Sequence, residues 1–218
     1  MFFPLVFLLI MAFCAVGDTC TCFPVHPQAH YCNSDYVLLV KVNNSTIGNQ
    51  TQATHRMIDV KIKKSFKANE KVNFAIKNGQ IWTPMNDGVC GINLKPNAKY
   101  LITGKVEGGK AFISTCDYYQ EWSNLTPKQR KGFKLLYKLG CECKVAYCPL
   151  AKRGHKCNVN ANTCSWTTAF DKDGDCQGHY SICMRQITGY CQWNSSRAYK
   201  QCVKEKEQKK KERQRLEP

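Results

Sequence analysis

Hydrophobic and polar positions alternate through the first half of the chain. Ile58, Val60 and Ile62 share one face of a strand, with Asp59, Lys61 and Lys63 on the other. Val72, Phe74 and Ile76 repeat the period and predict another strand, while residues 36–42, 100–105 and 111–116 are more continuously apolar. Glu107-Gly-Gly-Lys110 supplies a hairpin turn between the last two. A helix follows, with Thr126 as N-cap, Pro127 in the first position and Gln129 completing a capping box. Phe133, Leu136 and Tyr137 form its apolar face, and Gly140 stops it.

Five strands and a late helix predict a mainly β fold with short helices, built on a small closed barrel of which the OB-fold is the leading candidate. The cysteines divide the rest. Residues 20–141 carry six, widely spaced, and 142–202 carry eight, closely spaced in loop-rich sequence too short for a large core. This predicts a barrel domain over 20–141, a small disulfide-rich domain over 142–202, and a basic tail over 203–218 that reads as a solvated or frayed helical segment. No internal repeat is evident.

Residues 1–19 begin with the uncharged apolar run MFFPLVFLLIMAFCAV, which reads as a cleaved signal peptide although its start lacks Lys or Arg. The run is short for a membrane span, and no later stretch approaches about 18 apolar residues. Secretion into the extracellular space or matrix is the expectation. Cys14 leaves with the leader and fourteen of the fifteen cysteines remain, an even number in an oxidising compartment, which implies disulfides. Cys141-Glu-Cys143 and Cys148 have spacings that would also suit a metal, and the compartment argues against it.

Lys and Arg number 32 against 16 acids, and loss of Asp18 moves the net charge from +16 to +17. Such a field attracts polyanions, which outside the cell are heparan sulfate and similar glycans rather than nucleic acid. Lys61 and Lys63 share a strand face, with Lys64 and Lys67 close by, and form the candidate patch. Asn43, Asn44, Asn49, Asn124 and Asn194 match the glycosylation pattern, and their clustering over 43–51 predicts an exposed loop. His26 and His30 are four apart, but Pro27 reads as opposing a helix there, so they are not taken as a metal pair. Asp171-Lys-Asp-Gly-Asp175 resembles the start of a calcium loop, with Gly misplaced and Ile182 where the bidentate Glu belongs, so it reads as an acidic turn. No nucleophile–base or paired-carboxylate arrangement suggests an enzyme, and no cofactor of its own is implied.

Cys20-Thr-Cys-Phe-Pro-Val-His-Pro-Gln28 followed by Cys32-Asn-Ser-Asp35 resembles the N-terminus of the tissue inhibitors of metalloproteinases. The resemblance continues in order through Val89-Cys90-Gly91, Tyr100-Leu-Ile-Thr-Gly104, Cys116-Asp117, Trp122, Gln129-Arg130, Tyr137, Gly140-Cys-Glu-Cys-Lys144 and Cys148-Pro149. Fourteen cysteines permit about 10^5 pairings. The resemblance implies Cys20–Cys90, Cys22–Cys116, Cys32–Cys141, Cys143–Cys191, Cys148–Cys157 and Cys164–Cys183. Cys176 and Cys202 are extra to the usual twelve and are paired with each other by elimination.

The resemblance also implies a netrin-like inhibitory domain whose partners are matrix metalloproteinases and related zinc proteases. The α-amine and carbonyl of Cys20 would chelate the enzyme's catalytic zinc at its open position and displace the attacking water. Thr21 would enter the specificity pocket, and Cys20, Thr21, Cys22, Phe23 and Pro24 would form one ridge with Asp87, Gly88, Val89 and Cys90. Phe23 is bulkier than the small residues common at its position. Cleavage directly before Cys20 is required. Ala15-Val16-Gly17 is the better signal-peptidase site, and cutting there leaves Asp18-Thr19 blocking the amine. The alternative function is a non-inhibitory extracellular module of the same barrel type, bound to matrix polyanions or a receptor.

Overall fold

The computed structural model describes residues 20–46, 54–148, 157, 160–171 and 174–216. The leader and Asn49 lie outside the described residues. Among these, helix α1 (Pro27–Asn33) leads into strand β1 (Tyr36–Thr46), and β2 (His55–Lys67) returns antiparallel to it. Helix α2 (Glu70–Ala75) then crosses to β3 (Gln80–Pro84), which pairs with β2. Strands β4 (Lys99–Glu107) and β5 (Lys110–Phe112) form a hairpin whose two turn residues, Gly108 and Gly109, both take positive φ. Parallel pairing of β3 with β5 and antiparallel pairing of β1 with β4 close a five-stranded barrel, and β6 (Tyr119–Glu121) adds an extra strand beside β4.

The barrel interior is filled by Tyr36, Leu38, Val40, Val42, Ile58, Val60, Ile81, Ile102 and their neighbours, all buried. A second core forms outside the barrel. Val37 and Leu101 on its wall pack against Tyr31 of α1 and against Phe133 and Tyr137 of helix α3, residues 127–139. The capping box of α3 is present, with Thr126 accepting from Gln129 N–H while the Gln129 side chain accepts from Thr126 N–H. Its middle turn, Gly132–Leu136, is π-helical, and Gly140 caps its end.

The C-terminal region is held by disulfides more than by core. Strands β7 (Lys144–Tyr147) and β8 (Thr163–Trp166) pair in parallel, helix α4 (Cys176–Tyr180) follows, and β9 (Cys183–Arg185) pairs antiparallel with β10 (Cys191–Trp193). Its small core is Cys143, Cys164, Cys183 and Cys191. Helix α5 (Arg197–Leu216) ends the described chain, so the boundary drawn at residue 203 falls inside a continuous helix. Disulfides join Cys20–Cys90, Cys22–Cys116, Cys32–Cys141, Cys143–Cys191, Cys148–Cys157, Cys164–Cys183 and Cys176–Cys202.

Three expectations are corrected. Residues 72–75 belong to a helix with Ile76 as its C-cap, not to a strand. Val72 and Ile76 are one helical turn apart and both buried, Phe74 is 62% exposed, and the Asn69 side chain caps the helix by accepting from Val72 N–H. The strand place goes to Gln80–Pro84, where Ile81 and Thr83 point inward. Pro27 does not oppose a helix; it occupies the first turn, where its missing N–H costs nothing. Asn43 and Asn44 lie within β1, which runs on to Thr46, and not in a loop.

Candidate functional site

The site begins at the described N-terminus, where residues 20–25 form no regular element. Thr21, Phe23 and Val25 are exposed, while Cys20, Cys22 and Pro24 are half-buried. This alternation is that of an extended segment presenting every second side chain outward. Phe23 is 86% exposed. The disulfides at Cys20 and Cys22 hold their partners at Cα separations of 5.1 and 5.2 Å, and the Cys20 and Cys22 sulfurs lie 3.9 Å apart. The segment is therefore fastened to the barrel at two adjacent points.

Both receiving cysteines sit on turns that are themselves pinned. Asp87–Val89 forms a single 3-10 turn capped by Asn86, whose side chain accepts from Val89 N–H at 3.3 Å. Cys90 follows with φ 67°, and Gly91 N–H donates to Asn86 O at 2.8 Å. A Cβ at Gly91 would lie 2.8 Å from that same oxygen, so the tight reversal requires glycine. On the other side, Asp117 accepts from Ser114 N–H at 2.8 Å and from its hydroxyl at 2.9 Å, shaping the turn that carries Cys116. Thr115 N–H donates to Cys90 O at 2.8 Å, and its hydroxyl donates to Gly91 O at 3.0 Å, tying the two turns together. Asp87, Gly88 and Val89 are exposed beside Cys20. Cys20–Thr21–Cys22–Phe23 and Asp87–Gly88–Val89–Cys90 thus share one exposed edge.

Inward from Pro24 the chain becomes buried. His26 is 1% exposed, caps α1 by accepting Gln28 N–H at Nδ1, and packs between Trp166 and Trp193 with ring centroids 5.3 and 5.0 Å away. Its Nε2 faces Gln177 O at 3.3 Å. Burial lowers its pKa to about 4, against the opposing pull of the Gln177 carbonyl and Asp175. Burial lowers His30 to about 4 as well. The Gln28 side chain donates to Gly140 O at 2.9 Å and Cys183 O at 2.8 Å, and accepts Cys183 N–H at 2.9 Å. Sequence reasoning did not single out Gln28 or assign His26 a structural role. The one available signal was a Pro after a possible N-cap.

Cys20, Cys90 and Cys116, and likewise Cys143, Cys183 and Cys191, bring three sulfurs close together. All six are in disulfides and offer no thiolate for a metal. Of the acidic turn, Asp171 pairs with Lys206, and Asp175 caps α4 and accepts Trp166 Nε1–H at 2.9 Å. Ile182 is buried in the second core.

The basic patch divides. Lys61, Lys63 and Lys64 are exposed, and Lys61 faces Lys41 across the ladder. A register shift between the Val40–Ile62 and Leu39–Lys64 pairs leaves Lys63 as an extra residue, which puts adjacent Lys63 and Lys64 both in solvent. Lys67 is half-buried, and its ammonium donates to Tyr31 O at 3.0 Å and Cys32 O at 2.9 Å. It is committed to the fold.

The fold and this edge define a closed β-barrel scaffold that displays a disulfide-clamped N-terminal segment. The family description "Tissue inhibitor of metalloproteinase" matches residues 18–193, and the chain belongs to that family. It is 34% identical to Metalloproteinase inhibitor 3 of Gallus gallus over 186 residues, covering 82% of each chain. Over 213 residues it is 30% identical to Tissue inhibitor of metalloproteinase of Drosophila melanogaster, covering 91% of this chain and 94% of that one. Metalloproteinase inhibitor 2 of Homo sapiens is 33% identical over 202 residues, covering 85% and 86%.

Proposed function

We propose that the protein is a secreted inhibitor of zinc metalloproteinases, acting through the N-terminal segment that starts at Cys20. The family is one of inhibitors, not enzymes. The observation that carries the reading is the double disulfide clamp at Cys20 and Cys22 beside the exposed 87–89 turn. A segment held in this way loses little conformational entropy on binding, which raises affinity. It also resists being drawn through the active site as a substrate.

With residues 1–19 removed, the Cys20 amine has a reference pKa of about 7.7–8.0, so its neutral, ligating form is accessible near neutral pH. Amine and carbonyl chelate the target's zinc where water would otherwise sit, which removes the nucleophile. Thr21 enters the adjacent specificity pocket, and Phe23, Pro24 and Asp87–Cys90 complete the contact. Residues 20–141 form the inhibitory domain and 142–202 the disulfide-rich one. Exposed Asn43, Asn124 and Asn194 are available to carry glycans. Exposed Lys61, Lys63 and Lys64, close to Lys41, support retention on matrix polyanions as an additional property.

The test extends the protein by one alanine before Cys20, or acetylates its amine. Inhibition of a matrix metalloproteinase is expected to disappear while the melting temperature is unchanged. Comparable inhibition by the extended protein would refute the chelation mechanism. N-terminal sequencing of the secreted chain accompanies it: Cys20 as first residue supports the inhibitor, and Asp18 supports the non-inhibitory module.

A further inference from the structure

Helix α5 carries nine Lys and Arg against three Glu, and their placement is not even. Tyr199, Cys202, Val203, Lys206 and Arg213 are the half-buried residues of the helix. At about 100° per residue they occupy one arc of about 100°, the side turned to the protein. An arc about 80° wide on the solvent side, its middle about 150° round from the middle of the inward one, contains Arg197, Lys200, Lys204, Gln208, Lys211 and Arg215, all exposed. Five of these six are cations and none is acidic. Glu205, Glu207 and Glu212 fall outside that arc.

The helix is also fixed in orientation. Cys202 is bonded to Cys176 of α4, and Lys206 pairs with Asp171 with both side chains largely buried. Ser196, just before the first turn, accepts Tyr199 N–H at 3.1 Å and donates to Tyr180 O at 3.1 Å. The inward cation Lys206 is thereby neutralised, while the outward five stay in solvent along about 27 Å of helix.

We infer that this outward face of α5 is a binding site for a linear sulfated glycan lying along the helix. A flexible polyanion with repeated charges can meet cations spaced one to two turns apart, and a pre-fixed row loses little entropy on meeting it. An anionic membrane is a poorer fit. A helix lying in a bilayer surface needs an apolar face to insert; here Tyr199 and Val203 face the protein, and the exposed Ala198 and Leu216 stand at opposite ends of the helix and form no such face. The inference is independent of the inhibitor reading. It deepens the polyanion reading by placing the main site on α5 rather than on β2.

The test uses the full-length secreted protein and heparin as probe, with affinity measured across a salt series. Three variants are compared: Lys200, Lys204, Lys211 and Arg215 to Gln; the exposed Lys99, Lys131, Lys138 and Lys144 to Gln, which removes equal charge away from α5; and Lys61, Lys63 and Lys64 to Gln. Circular dichroism and disulfide mapping confirm that each variant is folded. The α5 variant is expected to bind at least about tenfold more weakly with a shallower salt dependence, because released counterions scale with the contacts made. The equal-charge control should lose about threefold or less, and a heparin disaccharide, too short to reach from Arg197 to Arg215, should not compete. Equal losses in the α5 variant and its control would overturn the site in favour of bulk charge. Loss confined to the β2 variant would overturn it while keeping polyanion binding. Capture by phosphatidylserine vesicles without heparin binding would replace the glycan with a membrane.

Discussion

Lowering the pH from 7 to 4 loads protons onto histidines that the fold keeps neutral. His26 meets that change with no polar room. Nδ1 accepts Gln28 N–H at 3.1 Å and Nε2 faces the Gln177 carbonyl, so both nitrogens are satisfied in the neutral ring and a second proton would confront a donor. His30, Asp175 and His179 also act on it electrostatically, and only Asp175 favours the charged form. In the unfolded chain the ring takes its proton near the ordinary value of about 6.5. In the folded chain it does so at about 4. Stability is therefore complete above pH 6.5 and falls as the pH drops, by about 1.4 kcal/mol per pH unit, reaching a loss of about 3 kcal/mol near pH 4. His30 adds to the loss in the same direction. The assay is guanidinium unfolding with disulfides intact, from pH 7.5 to 4, on the native protein and on His26→Asn. Asparagine keeps an N-cap acceptor but does not titrate. The variant should be less stable at pH 7, because the ring's packing is lost, yet show a shallower decline on acidification. The same slope in both proteins would refute the assignment.

Two further outcomes follow from the same geometry. Gln28→Leu removes the side-chain partners of Cys183 O and Cys183 N–H in a buried site and leaves Gly140 O with Cys143 N–H alone, and should cost about 3 kcal/mol in guanidinium unfolding. Thr21→Gly should weaken metalloproteinase inhibition by at least about tenfold with no change in melting temperature, since the side chain is exposed; an unchanged inhibition constant across several proteinases would remove Thr21 from the pocket.

What the chain announces about itself is local. Thr126 and Gln129 spell out a capping box, and Gly108-Gly109 spell out a turn, because the signal and its structural partner lie within a few residues. Val72, Phe74 and Ile76 were misread because a spacing of four serves one face of a strand and one face of a helix equally. The deciding facts, the Asn69 cap and the outward Phe74, concern a single side chain each. β6 escaped notice because Tyr119–Glu121 is three residues long and owes its existence to the neighbouring edge of β4. Of the candidate edge, residues 20–24 were legible as a motif. Of what holds them, the Asn86 cap and the reversal at Gly91 are local but rest on one short turn, while the bond from Thr115 to Cys90 joins residues that no spacing rule connects.

The edge is stiff because it is held from both ends by different physics. At Cys20 and Cys22 the constraint is covalent and indifferent to pH or salt. Four residues later the chain enters a buried polar junction, where His26 caps α1 and Gln28 bonds Gly140 and Cys183. This second anchor consists of hydrogen bonds in a dry site. It is strong while every partner is present and costly when one is removed or charged. Gln177 and Cys183 belong to the C-terminal region, so that region, although it supplies none of the exposed edge, helps fix the direction in which residues 20–25 leave the barrel. Disulfides set where the segment starts, and the His26–Gln28 junction sets where it ends. Both are required to hold Thr21 and Phe23 outward on a chain that has no strand or helix of its own there.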